Sequence, residues 1–252
     1  MRSRAGVMPA WEREWPARVR RRPRLGDGGY LLLSELADSL VAARDRYVRA
    51  PADILDVGCG DKPYYPFFAG IAATYVGCDV VPGPRVDRVC PIEELAAEDR
   101  SVDLVLCTQV LEHARDPAAA LRECARVLRP GGHLFASTHG TYPFHPHPND
   151  YWRWTQQGLE ALVASEPTLE LVELVPHRGT VACLALFVAT YLEIAATGLR
   201  IAPLARPAVA LINLAGLAGD RMVGRLRYPH TYTLIPNFLV VARKRQADAA
   251  AA

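Results

Sequence analysis

Asp53-Ile54-Leu55-Asp56-Val57-Gly58-Cys59-Gly60 decides the fold. A short apolar run that ends in glycines reads as a buried parallel strand entering a tight turn. Gly58 and Gly60 let the backbone take dihedrals closed to other residues, and they let a ligand approach without meeting a β-carbon. Before this strand, Leu31 to Tyr47 sets Leu32, Leu36, Leu40, Ala43 and Tyr47 at helical spacing, and Pro51 closes the segment. After it, Thr74 to Val81 and Val102 to Thr108 repeat the strand signature. Pro117 to Leu128 is an amphipathic helix with Leu121, Cys124, Ala125 and Leu128 on one face, stopped by Arg129-Pro130-Gly131-Gly132. His133 to Thr138 reads as a strand, Thr155 to Ala164 as a helix, and Leu169 to Val175 and Asn237 to Ala242 as two further strands. The alternation predicts an α/β fold, a doubly wound and mostly parallel sheet with helices on both faces. Such sheets bind ligands outside the carboxyl ends of their strands.

A chain of 252 residues, half of them apolar, is long enough for one sizeable core. The expected division is a basic, flexible arm over 1–29, one domain over 30–245 and a disordered tail over 246–252. Residues 1 to 24 hold eight Arg against two Glu, so the rest of the chain is slightly acidic. Two readings of the arm stay open: a poorly ordered terminus, or contact with an anionic partner such as acidic lipid, aided by Trp11 and Trp15. No apolar run follows the arginines in the manner of a secretory signal. Cys59, Cys78, Cys90, Cys107, Cys124 and Cys183 form no C-x-x-C pair and read as reduced core residues of a cytoplasmic protein.

At the first strand end, Asp56 can accept hydrogen bonds from an ammonium group or ordered water. About twenty residues further on, Tyr75-Val76-Gly77-Cys78-Asp79 ends in a carboxylate positioned to accept both hydroxyls of a ribose. The loop is not G-x-G-x-x-G, which favours a nucleoside carrying an amino acid over a dinucleotide and weighs against a nicotinamide oxidoreductase.

Five motifs occur in order: Ile54-Leu55-Asp56-Val57-Gly58-Cys59-Gly60, Val76-Gly77-Cys78-Asp79, Val102-Asp103-Leu104-Val105, Val110-Leu111-Glu112-His113 and Arg126-Val127-Leu128-Arg129-Pro130-Gly131-Gly132. With them the chain resembles the class I S-adenosylmethionine-dependent methyltransferases, in particular the small-molecule branch with a D-x-G-C-G loop, over roughly Tyr30 to Ala164. The resemblance implies a Rossmann-like fold and S-adenosyl-L-methionine as cofactor. It places Asp56, Gly58, Cys59 and Gly60 on the methionine part, Asp79 on the ribose, and Thr108 and Gln109 at the sulfonium end. One departure stands out. Where the family often carries an acid that reaches adenine, this chain has Pro91, which leaves apolar packing and the backbone of Ile92 to hold the base. His113 is expected to support the turn after its strand, and Asp103 to tie down a neighbouring loop.

The second unusual stretch runs from His139 through Pro143-Phe144-His145-Pro146-His147-Pro148-Asn149-Asp150-Tyr151-Trp152-Arg153-Trp154 to Thr155. It follows the fifth strand and should stand over the transferred methyl group. Histidine can take a proton near neutral pH, and O-methylation needs the acceptor hydroxyl deprotonated as it attacks. His145, His147 and His139, in that order, are the candidate bases; His145 and His147 project the same way if the segment is extended. A metal held by His139, His145, His147 and Asp150 is the lesser reading, and no metal is expected. The same stretch also reads as a rigid lid capping the next helix.

About sixty residues separate the last two strands, and Thr180 to Leu192 and Pro207 to Leu217 are apolar runs within them. A helical insertion over about 177–232 follows, each run too short to span a bilayer. A lid or homodimer surface, a membrane-surface groove, and a spanning hairpin stay open. The expected acceptor is a small or lipid-linked molecule, a sugar hydroxyl first, with quinone or polyketide-like metabolites as alternatives for O- or C-methylation. A catalytically inactive cofactor-binding protein is the rival reading. No basic face beyond the arm points to nucleic acid. Peripheral contact with the inner face of a membrane fits the insertion.

Overall fold

The computed structural model describes residues 14–146, 148–225 and 233–246. In chain order the elements are α1 (Arg18–Arg21), α2 (Tyr30–Tyr47), β1 (Ala52–Val57), α3 (Tyr65–Phe68), β2 (Ala72–Asp79), β3 (Arg88–Val89) and β4 (Val102–Thr108). There follow α4 (Pro117–Val127), β5 (Leu128–His139), α5 (Gln156–Ala164), β6 (Leu169–His177), α6 (Thr180–Gly198), α7 (Ala202–Arg225) and β7 (Asn237–Lys244).

Alternation along each strand sorts the core into two faces. Leu55 and Val57 of β1, Val105 and Cys107 of β4, and Leu134 and Ala136 of β5 pack on one side with α4 and α5. Ile54, Leu104, Leu106 and Phe135 turn to the other side, against Leu36 and Leu40 of α2 and Phe68 of α3. Both faces are therefore covered, as a parallel sheet requires. The seven strands run in the order β3-β2-β1-β4-β5-β7-β6. All neighbours from β3 to β5 are parallel, whereas β7 lies antiparallel between β5 and β6. The doubly wound, mostly parallel sheet with helices on both faces and a helical insertion before the last strand is the architecture observed.

Local chemistry sets several boundaries. The Asp116 carboxylate accepts from Ala119 N at 2.9 Å and Pro117 opens α4; Thr155 caps α5 by accepting from Gly158 N at 3.0 Å. The Arg-Pro-Gly-Gly turn does stop α4, but β5 begins at Leu128 rather than His133. Val102 pairs with Leu128 and Leu104 with His133, so the turn bulges out between two paired positions. Asp103 ties β1 to β4, accepting from Asp53 N at 2.8 Å and from Arg129 at 2.7 Å. All six cysteines are free and buried.

Two expectations change. The arm over 1–29 is docked from residue 14 onward: Trp15 donates to Lys62 O at 2.9 Å and stacks on Tyr65, and the buried Arg21 donates to Pro63 O at 2.7 Å. Residues 1–13, with Trp11, and 247–252 lie outside the described residues. The apolar runs of the insertion are not short helices. They extend into continuous helices of 19 and 24 residues, and both are long and apolar enough to cross a membrane by length and composition. These two helices pack on each other, and α6 packs on α2 through Ala182, Leu186, Leu31 and Leu32. Asp220 of α7 caps the start of α6, accepting from Gly179 N, Val181 N and Ala182 N at 2.6, 3.0 and 3.1 Å.

Candidate active site

The carboxyl ends of β1, β2, β4 and β5 open into a cleft of about 820 Å³, a volume suited to a cofactor and a small acceptor. Its floor is the loop after β1. Gly58 and Gly60 hold φ of 63° and 46°, in the left-handed region. A β-carbon on Gly58 would lie 2.3 Å from Val110, whereas one on Gly60 would meet nothing within 4 Å. The loop thus presses on the turn after β4 at one glycine and leaves room for a ligand at the other.

Asp79, at the end of β2, lies along the cleft and clasps this loop: its carboxylate accepts from Gly60 N at 2.9 Å and from Val81 N at 3.0 Å. Cys90, Pro91 and Ile92 form an apolar shelf beside it. Glu93 is close by, but its carboxylate is held by Arg115 N at 2.9 Å. Glu93 itself lines the cleft, two residues beyond Pro91. Gln109, just after β4, has φ 60°, a strained value for a non-glycine residue. Its amide holds that conformation by donating to Ser137 Oγ at 3.0 Å and Asn237 Oδ1 at 2.8 Å.

Gly58, Cys59, Gly60, Asp79, Ile92, Thr108, Gln109, His139 and His145 all line this one cleft. Asp56 does not. It sits one residue before Val57 on the alternating strand, so its side chain points to the α2 face, sealed there and bonded by Tyr75 OH at 2.7 Å. Burial, opposed by the Tyr75 bond, raises its pKa to about 7. His147 lies outside the described residues.

The loop after β5 forms the far wall. His139 is almost fully buried, lies flat on Tyr142 at 3.9 Å, and brings Nε2 to 3.3 Å from Glu112 Oε1. The ring of His145 stands edge-on to His139, Tyr142 and His113, 4.9–5.3 Å away. Arg153 pins this wall: it pairs with both oxygens of Asp150 at 2.5 and 2.6 Å and donates to Tyr142 O and Pro143 O at 2.9 and 2.7 Å. Asp150 in turn accepts from His145 N at 2.9 Å, and its carboxylate lies 3.5 Å from His145 Nδ1. The segment is thus a braced lid, with Trp154 N bonded to His139 O at 3.0 Å just before α5.

Burial lowers the basicity of His139 strongly and of His145 more modestly, so both rings are neutral at pH 7 and can accept a proton. Burial pushes the Glu112 carboxyl up to about 7, against hydrogen bonds that include Thr138 Oγ1 at 2.9 Å. Glu112 Oε1, His139 Nδ1 and His145 Nδ1 are buried without a hydrogen bond. The metal grouping weighed from sequence also changes. Among the described residues, Glu112, His113 and His145 converge, with ligand atoms within 4.8 Å of one another. Glu112 and Tyr142 escaped sequence reasoning as site residues, although Glu112 sits in the quoted Val-Leu-Glu-His motif. Docking of residues 14–29 brings Ala17, Val19, Arg20 and Gly29 to the rim, which nothing in their sequence signals.

Residues 55–136 match a family model described as a methyltransferase domain. The ubiquinone biosynthesis O-methyltransferase of Xanthomonas oryzae pv. oryzae is 41% identical over 104 residues, 35% of this chain and 44% of the relative. That of Xanthomonas campestris pv. campestris is 40% identical over 102 residues, 34% of this chain and 43% of the relative. The chain thus spans less than half the length of the curated relatives it matches. Among solved structures, the [4+2]-cyclase SpnF aligns with a TM-score of 0.56 at 23% identity, over 84% of this chain and 82% of that one. This last likeness carries the fold alone. The matched segment holds the glycine loop, Asp79 and the β4 end that together build the cleft, and over this third of the chain the sequence is similar to S-adenosylmethionine-dependent methyltransferase domains.

Proposed function

We propose that this chain transfers a methyl group from S-adenosylmethionine to a hydroxyl of a small acceptor bound against the His139–Tyr142–His145 wall. The residues of the cleft fit the cofactor: space at Gly60 for its amino-acid part, the Asp79 carboxylate for its ribose, and the Cys90–Ile92 shelf for adenine. When bound, S-adenosylmethionine supplies an already activated methyl group. The protein then has to position the acceptor and take up its proton.

The observation that carries the reading is a pair of imidazoles, His139 and His145, lining the same cleft as the glycine loop on a wall braced by Asp150 and Arg153. His145 is the base we favour, because 28% of its side chain is exposed against 4% for His139. The Asp150 carboxylate, 3.5 Å from Nδ1, favours the charged ring that forms once His145 has taken a proton. His139, stacked on Tyr142 and facing Glu112, orients this wall. An O-methyltransferase among the partial relatives supports oxygen as the acceptor atom. The acceptor class is a sugar or a hydrophobic, lipid-linked or quinone-like molecule, the last in keeping with the apolar rim of Val19, Leu32 and Leu33.

Incubation with methyl-labelled S-adenosylmethionine and fractionated cell extract tests this. Label is expected in a small-molecule or lipid fraction and absent with His145→Ala, whose cofactor affinity is retained. Tight cofactor binding with no labelled fraction would favour the inactive reading instead.

A further inference from the structure

We propose that the α6–α7 hairpin is a docking surface for an anionic lipid bilayer, lying in the headgroup region with its tip inserted. Its outward stripe is apolar along both helices: Leu184, Val188, Tyr191 and Ile194 on α6, and Leu204, Leu211, Leu214 and Met222 on α7, all exposed. Their spacing puts each set on one helix face. The turn between the helices adds Leu199 and Ile201, and Leu199 and Leu204 are 71% and 78% exposed. Only 28% of the apolar stretch in α6 and 17% of that in α7 is buried, so these helices are not core helices of the domain. An exposed apolar face of this extent marks an interaction site.

Charge selects the occupant. Between residues 180 and 225 the acids are Glu193 and Asp220, and both turn inward: Glu193 accepts from Gly28 N at 2.9 Å, and Asp220 caps α6. Arg200, in the turn, and Arg221, beside the stripe, are exposed, whereas Arg206, also exposed, lies on the Asn213 side of α7. The backbone at Gly26 packs against Arg206. An apolar stripe bordered by arginines, with its acids withdrawn, matches anionic headgroups over acyl chains. A second copy meeting this face would offer the arginines no carboxylate.

The opposite side of the hairpin fixes its orientation. Asn213 donates to Leu25 O and Asp27 O at 2.8 and 3.1 Å, and Arg178, just before α6, donates to Leu31 O at 3.1 Å. These bonds hold the hairpin against the segment that also supplies Gly29, Leu32 and Leu33 to the cleft. With that side of the hairpin bonded to the domain, the apolar stripe on its other side is the face left to lie on the bilayer.

Sedimentation of the full chain with vesicles tests the docking, and it reads no turnover, so it is independent of methyl transfer. The protein is expected to pellet with phosphatidylcholine vesicles that contain phosphatidylglycerol and to be released by salt. Each arginine near such a surface contributes about fivefold to partitioning, so Arg200→Ser with Arg221→Ser should weaken binding about 25-fold. Leu199→Ser with Leu204→Ser should abolish it with the thermal midpoint unchanged. Failure to pellet, or equal pelleting with pure phosphatidylcholine, overturns the proposal. So does a dimer in light scattering that the leucine pair dissociates without any loss of vesicle binding.

Discussion

Asp79 and Gly60 are joined at the floor of the cleft: the carboxylate at the end of β2 accepts the backbone N–H of the glycine loop at 2.9 Å. This bond couples the loop's shape to the residue that would hold the ribose. Asp79→Ala removes a charge-assisted partner from both, so S-adenosylmethionine affinity in calorimetry is expected to fall by about one to two orders of magnitude. Unchanged affinity would remove Asp79 from the cofactor site.

His145 works as a base in its neutral form, and burial lowers its pKa below the ordinary 6.5. Turnover should therefore rise with pH through the acidic range and be level by pH 7. His145→Ala should lower kcat by about 10²–10⁴ and flatten that rise, with cofactor affinity retained. A pH–rate profile on variant and wild type decides it, and wild-type turnover in the variant at every pH would exclude the role.

Arg153 is the brace of the His-rich wall, and Asp150 beneath it has only 1% of its side chain exposed. The arginine and the His145 backbone N–H hold the Asp150 carboxyl well below the usual carboxylate range. Arg153→Ala strands a buried charge, at a cost of about 3–5 kcal/mol. A drop in the thermal midpoint of about 6 °C or more is expected. Arg153→Lys should recover only part of it, because a single ammonium cannot pair both oxygens and both carbonyls. A calorimetric midpoint within a degree of wild type would contradict the bracing.

Glu112 gives a pH signature of stability. Burial raises its pKa from 4.5 to about 7 in the folded chain. The folded state therefore prefers the protonated carboxyl, and this contribution is fully present below pH 4.5 and is lost as pH rises through 7. The loss amounts to about 3 kcal/mol. Glu112→Gln should accordingly gain stability against wild type between denaturation series at pH 5 and pH 8. An identical difference at both pH values would contradict the assignment.

The sheet was legible wherever periodicity was strong. Val102 to Thr108 is a strand over the expected span because its apolar residues are packed from both faces. That the glycines and Asp79 share one cleft was legible for the same reason, since they occupy strand ends whose positions follow from the strands. The burial of Asp56 against Tyr75 was not legible because a motif says nothing of parity: one residue along a strand turns a side chain to the opposite face, and Val57 faces the α4 side. The docking of Trp15 and Arg21 rests on carbonyls of Lys62 and Pro63, more than forty residues away, which leave no local signal. Glu112 meets His139 only when the turns after β4 and β5 are brought together, a tertiary contact that spacing does not encode.

Transfer of labelled methyl from S-adenosylmethionine into an extracted acceptor, followed side by side for wild type, Asp79→Ala and His145→Ala, tests the central claim most directly. The account predicts a labelled product with wild type. It predicts loss through cofactor affinity with the first variant and loss at unchanged cofactor affinity with the second. Cofactor binding by wild type with no labelled product in any fraction would contradict it.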